Sequence, residues 1–426
     1  NVQQQSPDSK QRNPGTLSKG PGEPADIAGA WPQFRGPGRD NIADDSEKLA
    51  ENWSSGQPKQ VWETEIGAGH AGVAVKNGRV YVNDYLADKE ERAIRCLSLA
   101  DGKEIWRYTY SVTVKRNHGS TRTVPTVGEG YVVSMGPKCH VRCLDAKTGK
   151  EQWKMDMVEQ FGTTVPPWYA GQCPIIRGDS VILAPGAQPL MMKVKLKTGK
   201  PVWKTRNPGG WNMTHSSIMP MKYNGSRQFV YCTTRGVVGV SAEDGKLLWK
   251  YPDWTIKIAT VPSPLPVGDG RIFLSGGYES GAEMIRLSGQ GTNIEVKTVF
   301  DLKPETFGAE QHTPVLYEGH IYGVIPDGRL ACLTLDGERV WTSGSGTRFG
   351  LGPFMVADGR LLALQAQEGT LRMAKASPDG YGEVGAVKVL QGHDAWAPMA
   401  LAGGRLVVRD LDTLVCLKMP GVGQGG

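Results

Sequence analysis

A chain of 426 residues with 39% apolar and 22% charged side chains is not a low-complexity or disordered polypeptide, and its 56 glycines suit an all-β domain rich in turns. Its formal charge of +6, from 49 basic against 43 acidic residues, comes without a lysine–arginine stripe and so lacks the footprint of a nucleic-acid binder. There is no apolar run of about eighteen residues, which leaves no segment that reads as a membrane-spanning helix.

Residues 1–30 form an arm of Gln, Ser, Pro and Gly with no apolar periodicity, expected to be flexible. It starts at Asn1 rather than Met, and no signal-like apolar stretch follows, so the expectation is a mature chain exported to the periplasm or the cell exterior. Whether a signal peptide or lipid anchor preceded Asn1 stays open. Residues 31–58 open with WPQFRGPGRDN, in which Trp31 and Phe34 are the large apolar groups expected to plug a groove on the body of the protein.

One phrase then recurs. It reads LSLADGKEIW at Leu97–Trp106, LDAKTGKEQW at Leu144–Trp153, VKLKTGKPVW at Val194–Trp203, VSAEDGKLLW at Val240–Trp249 and LTLDGERVW at Leu333–Trp341. Each copy is a strand end, a tight turn whose last corner is a glycine, and a new strand closing on tryptophan. Upstream of the copies stand stretches such as PTVGEGYVV and PVLYEGHIYGV, which read as two more short strands. Four strands per repeat make one propeller blade, too small to bury a core alone. Trp62, Trp106, Trp153, Trp203, Trp249, Phe300, Trp341 and Val389 share one phase, giving eight blades. The strand Val61–Ile66 has no blade of its own, while Ala397–Leu417 supplies three strands without a fourth. The two are expected to pair and close the ring, which removes free sheet edges. The fold expected is therefore all-β, an eight-bladed propeller of four-stranded antiparallel blades over residues 59–420, with a short flexible tail at 421–426.

The D-x-x-T-G-K-x-x-W phrase resembles the pyrroloquinoline-quinone-like (PQQ-like) propeller repeat, a family that includes quinoprotein alcohol dehydrogenases and BamB-type lipoproteins. The resemblance covers roughly residues 31 to 420 and includes the opening segment. It implies that Trp62, Trp106, Trp153, Trp203, Trp249 and Trp341 dock each blade on its neighbour. Two departures stand out: Lys195 occupies the place of Asp145, and blades five and seven lack the tryptophan, so these two are expected to be looser. The family's enzymes carry adjacent disulfide-bonded cysteines, a calcium site of Glu, Asn and Asp, and a catalytic Asp. This sequence shows no adjacent cysteines and few acids near the expected mouth. The resemblance accordingly points away from catalysis and toward a BamB-like interaction or scaffold propeller with no cofactor expected. PQQ with calcium belongs only to the alternative, a quinoprotein oxidoreductase with a remodelled site; a carbohydrate-binding propeller is a further alternative.

Repeat phase places the connections between blades on one face, where propellers tend to carry function. His70, His118, His215, His312 and His393 fall there, with Trp168, Trp211, Trp254 and Trp396, and with Arg122 and Arg348; Arg116, Arg206 and Glu310 lie nearby. Aromatic platforms and histidine donors suit a binding mouth for a protein partner, or for a glycan, with the N-terminal arm as a second contact. The plainer alternative is that these groups only cap blade ends. A metal site has little support, because no H-x-H, H-E-x-x-H or C-x-x-C spacing occurs. Cys96, Cys143, Cys332 and Cys416 recur at one place per blade and read as small buried groups too far apart to bridge. Cys139, Cys173 and Cys232 have no explanation in the repeat, and their pairing stays open.

Overall fold

The computed structural model describes residues 14–44, 46–54, 56–115, 118–291 and 293–421. Among these, strands form eight antiparallel sheets in a ring, with the strands of blades one to seven laid from the channel outward in chain order. Blade one consists of Val73–Lys76, Arg79–Leu86, Glu91–Ser98 and Glu104–Ser111, and blade two of Thr126–Gly128, Tyr131–Met135, His140–Asp145 and Glu151–Asp156. Five more blades follow in the same way up to Glu383–Lys388. Blade eight has Ala400–Ala402, Arg405–Arg409 and Thr413–Lys418, and its outer strand is Lys59–Glu65 from near the other end of the chain, with Trp62 opposite Cys416. The ring closes as the sequence implies.

The repeated phrase has a geometric cause. In all eight blades the pairing of the third and outer strands slips by one residue at the same place. A bulge re-aims the side chain beside it, and here that side chain is usually tryptophan. Trp106, Trp153, Trp341 and Trp62 stand opposite Cys96, Cys143, Cys332 and Cys416, so the recurrent cysteine is the small partner beside an indole. Each of these rings reaches the next blade. Trp62 Nε1 donates to Leu99 O at 3.0 Å, Trp106 to Ala146 O at 3.2 Å, Trp153 to Leu196 O at 2.6 Å and Trp341 to Ser377 O at 2.9 Å. The turn glycine of the next blade lies beneath the ring: a Cβ on Gly149 would come within 2.7 Å of Trp106, and one on Gly199 within 2.9 Å of Trp153. Gly149 also needs its φ of 76°, so two independent constraints fix that residue.

Two blades differ from the expectation. Trp249 does not reach forward, since blade five lacks the turn; its Nε1 donates to Gln228 Oε1 in its own blade at 2.6 Å. In blade seven the register puts Gly385, opposite Met373, at the tryptophan position, and Val389 lies beyond the outer strand. The period misplaced this residue because blade seven inserts extra turn residues between Lys375 and Glu383. The indole that covers Gly385 is Trp53, from the opening segment. In blade five, Phe300 packs over Gly337, so the two joints expected to be loose are both filled by aromatic rings. Apolar clusters accordingly lie between neighbouring blades rather than at one centre.

The arm also departs from its expectation where it is described. Thr16–Lys19 adds a fifth strand to blade one, pairing with Trp106–Thr109. Gly20 N and Gly22 N donate to Ile105 O and Glu104 O, and Ala25 N to Gly78 O. The reason is the open outer edge of blade one, whose unpaired backbone groups the arm satisfies. Residues 1–13, the first part of the expected arm, lie outside the described residues.

Residues 31–43 do more than fill a groove: they cross the central channel. Trp31 exchanges backbone hydrogen bonds with Val75 of blade one, and the segment leaves along blade seven, where Ala43 N donates to Val356 O. Between these points two fully buried arginines span the channel. Arg39 donates to Ile218 O at 2.9 Å and Cys173 O at 2.9 Å, and Arg35 to Thr313 O at 2.7 Å and Pro314 O at 2.8 Å. Blades one, three, four, six and seven are thus tied to one strap, and the channel is closed at that level.

Candidate functional site at the channel mouth

Above the strap, successive blades are linked by a chain of side-chain acceptors. Val124 N donates to Cys173 Sγ at 3.2 Å, Cys173 N to Ser217 Oγ at 3.0 Å, Ser217 N to Ser263 Oγ at 3.0 Å, and Ser263 N to Thr313 Oγ1 at 2.8 Å. Cys173, unexplained by the repeat, is therefore the sulfur member of this hydroxyl series. The signal was legible: Cys173-Pro174, Ser263-Pro264 and Thr313-Pro314 each precede an inner strand. Two residues ahead of Val124, Cys173, Ser217, Ser263 and Thr313 stand Arg122, Gly171, His215, Val261 and Gln311, and all five line the mouth cavity.

That cavity holds about 340 Å³. Phe34, Arg35 and Asn41 of the strap form its floor, and His70, His118, Arg122, Trp168, His215, His312 and Trp396 contribute to its walls. Seven of the eleven expected mouth residues are therefore together. The other four are elsewhere. Trp211 is 6% exposed and belongs to an apolar cluster, its connection folded by Asn207, which accepts from Trp211 N and donates to Trp211 O. Trp254 packs against blade five and borders a separate side cavity. Arg348 is exposed and donates to Asp327 O at 2.6 Å, while His393 is exposed beside Asp394 and does not line the cavity. Arg206 is exposed, Glu310 lies against Gly277, and Arg116 is outside the described residues.

The walls are ordered by aromatic contacts. His70 stacks on Trp396 with ring centres 4.5 Å apart, and Trp168 tilts against His215 at 6.3 Å. The connections that follow blades one and two meet at one side, where Tyr169 donates its hydroxyl to Lys115 O at 2.9 Å. His70 Nε2 faces the carbonyl of His118 at 2.8 Å, so it carries the proton, and its Nδ1 is buried without a partner. Trp396 Nε1 is likewise buried without an acceptor.

Burial, with help from the Arg122 charge, pushes the pKa of His70 and of His215 down to about 4. Burial does the same for His312, to about 4. These imidazoles are neutral at pH 7. Among the described residues no aspartate or glutamate lines the cavity, and no group of three His, Cys, Asp or Glu is arranged to hold a metal ion. All seven cysteines are free and buried. Burial raises the Cys173 thiol, so at the cavity edge it is an un-ionised packing group.

With this geometry in place, the chain compares as follows with known proteins. A family model described as outer membrane protein assembly factor BamB matches residues 50–160 and 90–343. No curated protein matches the sequence significantly. Among solved structures, BamB from Moraxella catarrhalis is 12% identical with a TM-score of 0.58, over 85% of this chain and 100% of that one. The quinohemoprotein alcohol dehydrogenase ADHIIG from Pseudomonas putida HK5 is 11% identical with a TM-score of 0.61, over 93% of this chain and 81% of that one. A europium-containing methanol dehydrogenase is 13% identical with a TM-score of 0.60, covering 89% of each chain. At these identities the structures share the fold alone, whereas the sequence match spans most of the blades. The chain belongs to the PQQ-like repeat family described as outer membrane protein assembly factor BamB.

Proposed function

We propose that this protein is a non-catalytic interaction propeller that works outside the cytoplasm and receives its partner at the channel mouth. The supporting observation is the blind cavity of about 340 Å³, with aromatic and imidazole walls and a floor made of the protein's own strap. Such a concave site with few, convergent polar groups is the form a recognition pocket takes. The described part of the arm, residues 14–30, commits backbone donors to blade one, which leaves the mouth as the favoured contact surface.

The lining of the cavity favours this reading over the quinoprotein alternative. A hard divalent cation takes six or more oxygen ligands, commonly carboxylates, and a quinone mechanism needs such an ion together with a positioned base. Here, among the described residues, the cavity lining contains no carboxylate. The residues present do not fit that cofactor pair.

The test is affinity capture with the full chain and with Trp168→Ala, a half-buried wall residue. Loss of partner recovery with Trp168→Ala, at an unchanged melting temperature, supports the mouth. Equal recovery by both proteins moves the contact to the propeller's sides.

A further inference from the structure

We infer that the mouth cavity takes the carboxy-terminal end of a partner polypeptide, seating its α-carboxylate beside Arg122 within the imidazole and indole wall. This rests on the mouth being the partner site. Three features of the cavity carry it, beginning with its shape. The strap closes the channel, with Arg35 and Arg39 bonded to carbonyls of Cys173, Ile218, Thr313 and Pro314. A blind pocket admits a chain end; it cannot be threaded by an extended segment that continues out of the other side.

Charge then decides which end. Arg122 lies in the wall, and among the described residues no carboxylate lines the cavity. A cleft of one sign with low-dielectric walls focuses its field on the ligand. Arg122 donates to Gly119 O at 3.1 Å and His118 O at 3.3 Å, and it is near enough to both His70 and His215 for its charge to oppose protonation of each. An N-terminal ammonium would enter this field against repulsion, with no carboxylate to receive it. A carboxylate gains a charge-assisted hydrogen bond and can accept from further N–H groups.

The third feature is an unspent donor. Trp396 Nε1 is buried in the wall with no acceptor, on an indole stacked against His70. A buried N–H without an acceptor is rare in folded proteins, and in a residue that borders a cavity a ligand oxygen is the economical partner. Phe34, Trp168, Tyr278 and Phe354 supply apolar surface for the side chain next to the carboxylate.

The test uses the intact chain and three short peptides in titration calorimetry: acetyl-Gly-Gly-Phe with a free carboxylate, the same peptide as its C-terminal amide, and Phe-Gly-Gly-amide with a free amine. The free acid is expected to bind at least about tenfold more tightly than the amide, with the amine-ended peptide weakest. Arg122→Gln should reduce the acid's affinity to that of the amide. Trp396→Phe, which keeps the ring and removes only the N–H, should weaken the acid severalfold, and it serves if Arg122→Gln does not fold. Equal binding of acid and amide, tighter binding of the amine, or no binding by any peptide overturns the inference. If acid and amide bind equally while Trp168→Ala still abolishes partner recovery, the mouth remains the partner site and only the carboxylate assignment falls. If Trp168→Ala leaves recovery unchanged and no peptide binds, both fall.

Discussion

The indole of Trp53 lies over Gly385, close enough that a Cβ on the glycine would come within 2.5 Å of the ring. Trp53 belongs to no blade, yet it occupies the place that blades one to four, six and eight fill with their own tryptophan. Trp53 N also donates to Val384 O at 3.1 Å, which fixes the segment along the blade edge. The opening segment is thus an integral part of blade seven.

Removing this ring should therefore cost as much as removing a repeat tryptophan. Trp53→Ala and Trp153→Ala are each expected to lose about 3 to 5 kcal/mol, the range for buried large-to-small changes at aromatic sites. Trp168→Ala, at the half-buried mouth, should lose much less. Denaturant midpoints compare the three, and a Trp53→Ala loss no larger than that of Trp168→Ala would contradict the docking role. Gly385→Ala should also destabilise, because its methyl must displace the indole.

Closure of the ring depends on Lys59–Glu65, which pairs along the whole of Thr413–Lys418. Deleting residues 1–67 removes that strand together with the strap, leaving a bare edge and an open channel, so the product should aggregate. Deleting residues 1–25 should leave a monomer with a lower melting temperature, since it uncovers only the outer edge of blade one. Light scattering and thermal melts distinguish the two products.

Stability should fall on acidification in a window set by the mouth histidines. His70, His215 and His312 have folded pKa values lowered to about 4 from 6.5, chiefly by burial. Between these values the unfolded chain binds protons that the native protein does not, so their contribution is whole above pH 6.5 and is lost progressively as pH falls toward 4. Urea midpoints at pH 7, 6, 5 and 4.5 should decline, and His215→Gln should flatten the decline. A flat wild-type profile would contradict neutral, buried imidazoles.

Calcium with pyrroloquinoline quinone should give no saturable binding at about micromolar concentration, as the cavity offers the ion no carboxylate. Absorbance titration of the purified chain reads this directly, and a stoichiometric complex would restore the oxidoreductase alternative.

The repeat by itself determined the eight blades, their strand order and the closing strand. A tight turn at a fixed distance from a tryptophan is a local pattern, and Gly149 with Trp153 already specifies its hairpin. The mouth was legible in part, because blade phase sends His70, Arg122, His215 and Trp396 to one face. What phase cannot encode is depth: Trp211 and Trp254 share that face with Trp168 but turn into the gaps between blades. Nor does any local pattern show that Trp53 completes blade seven, or that Arg35 and Arg39 cross the channel. Their partners are backbone carbonyls more than a hundred residues away. A carbonyl has no sequence signature, so those contacts exist only once the ring has brought blades three, four and six around one strap.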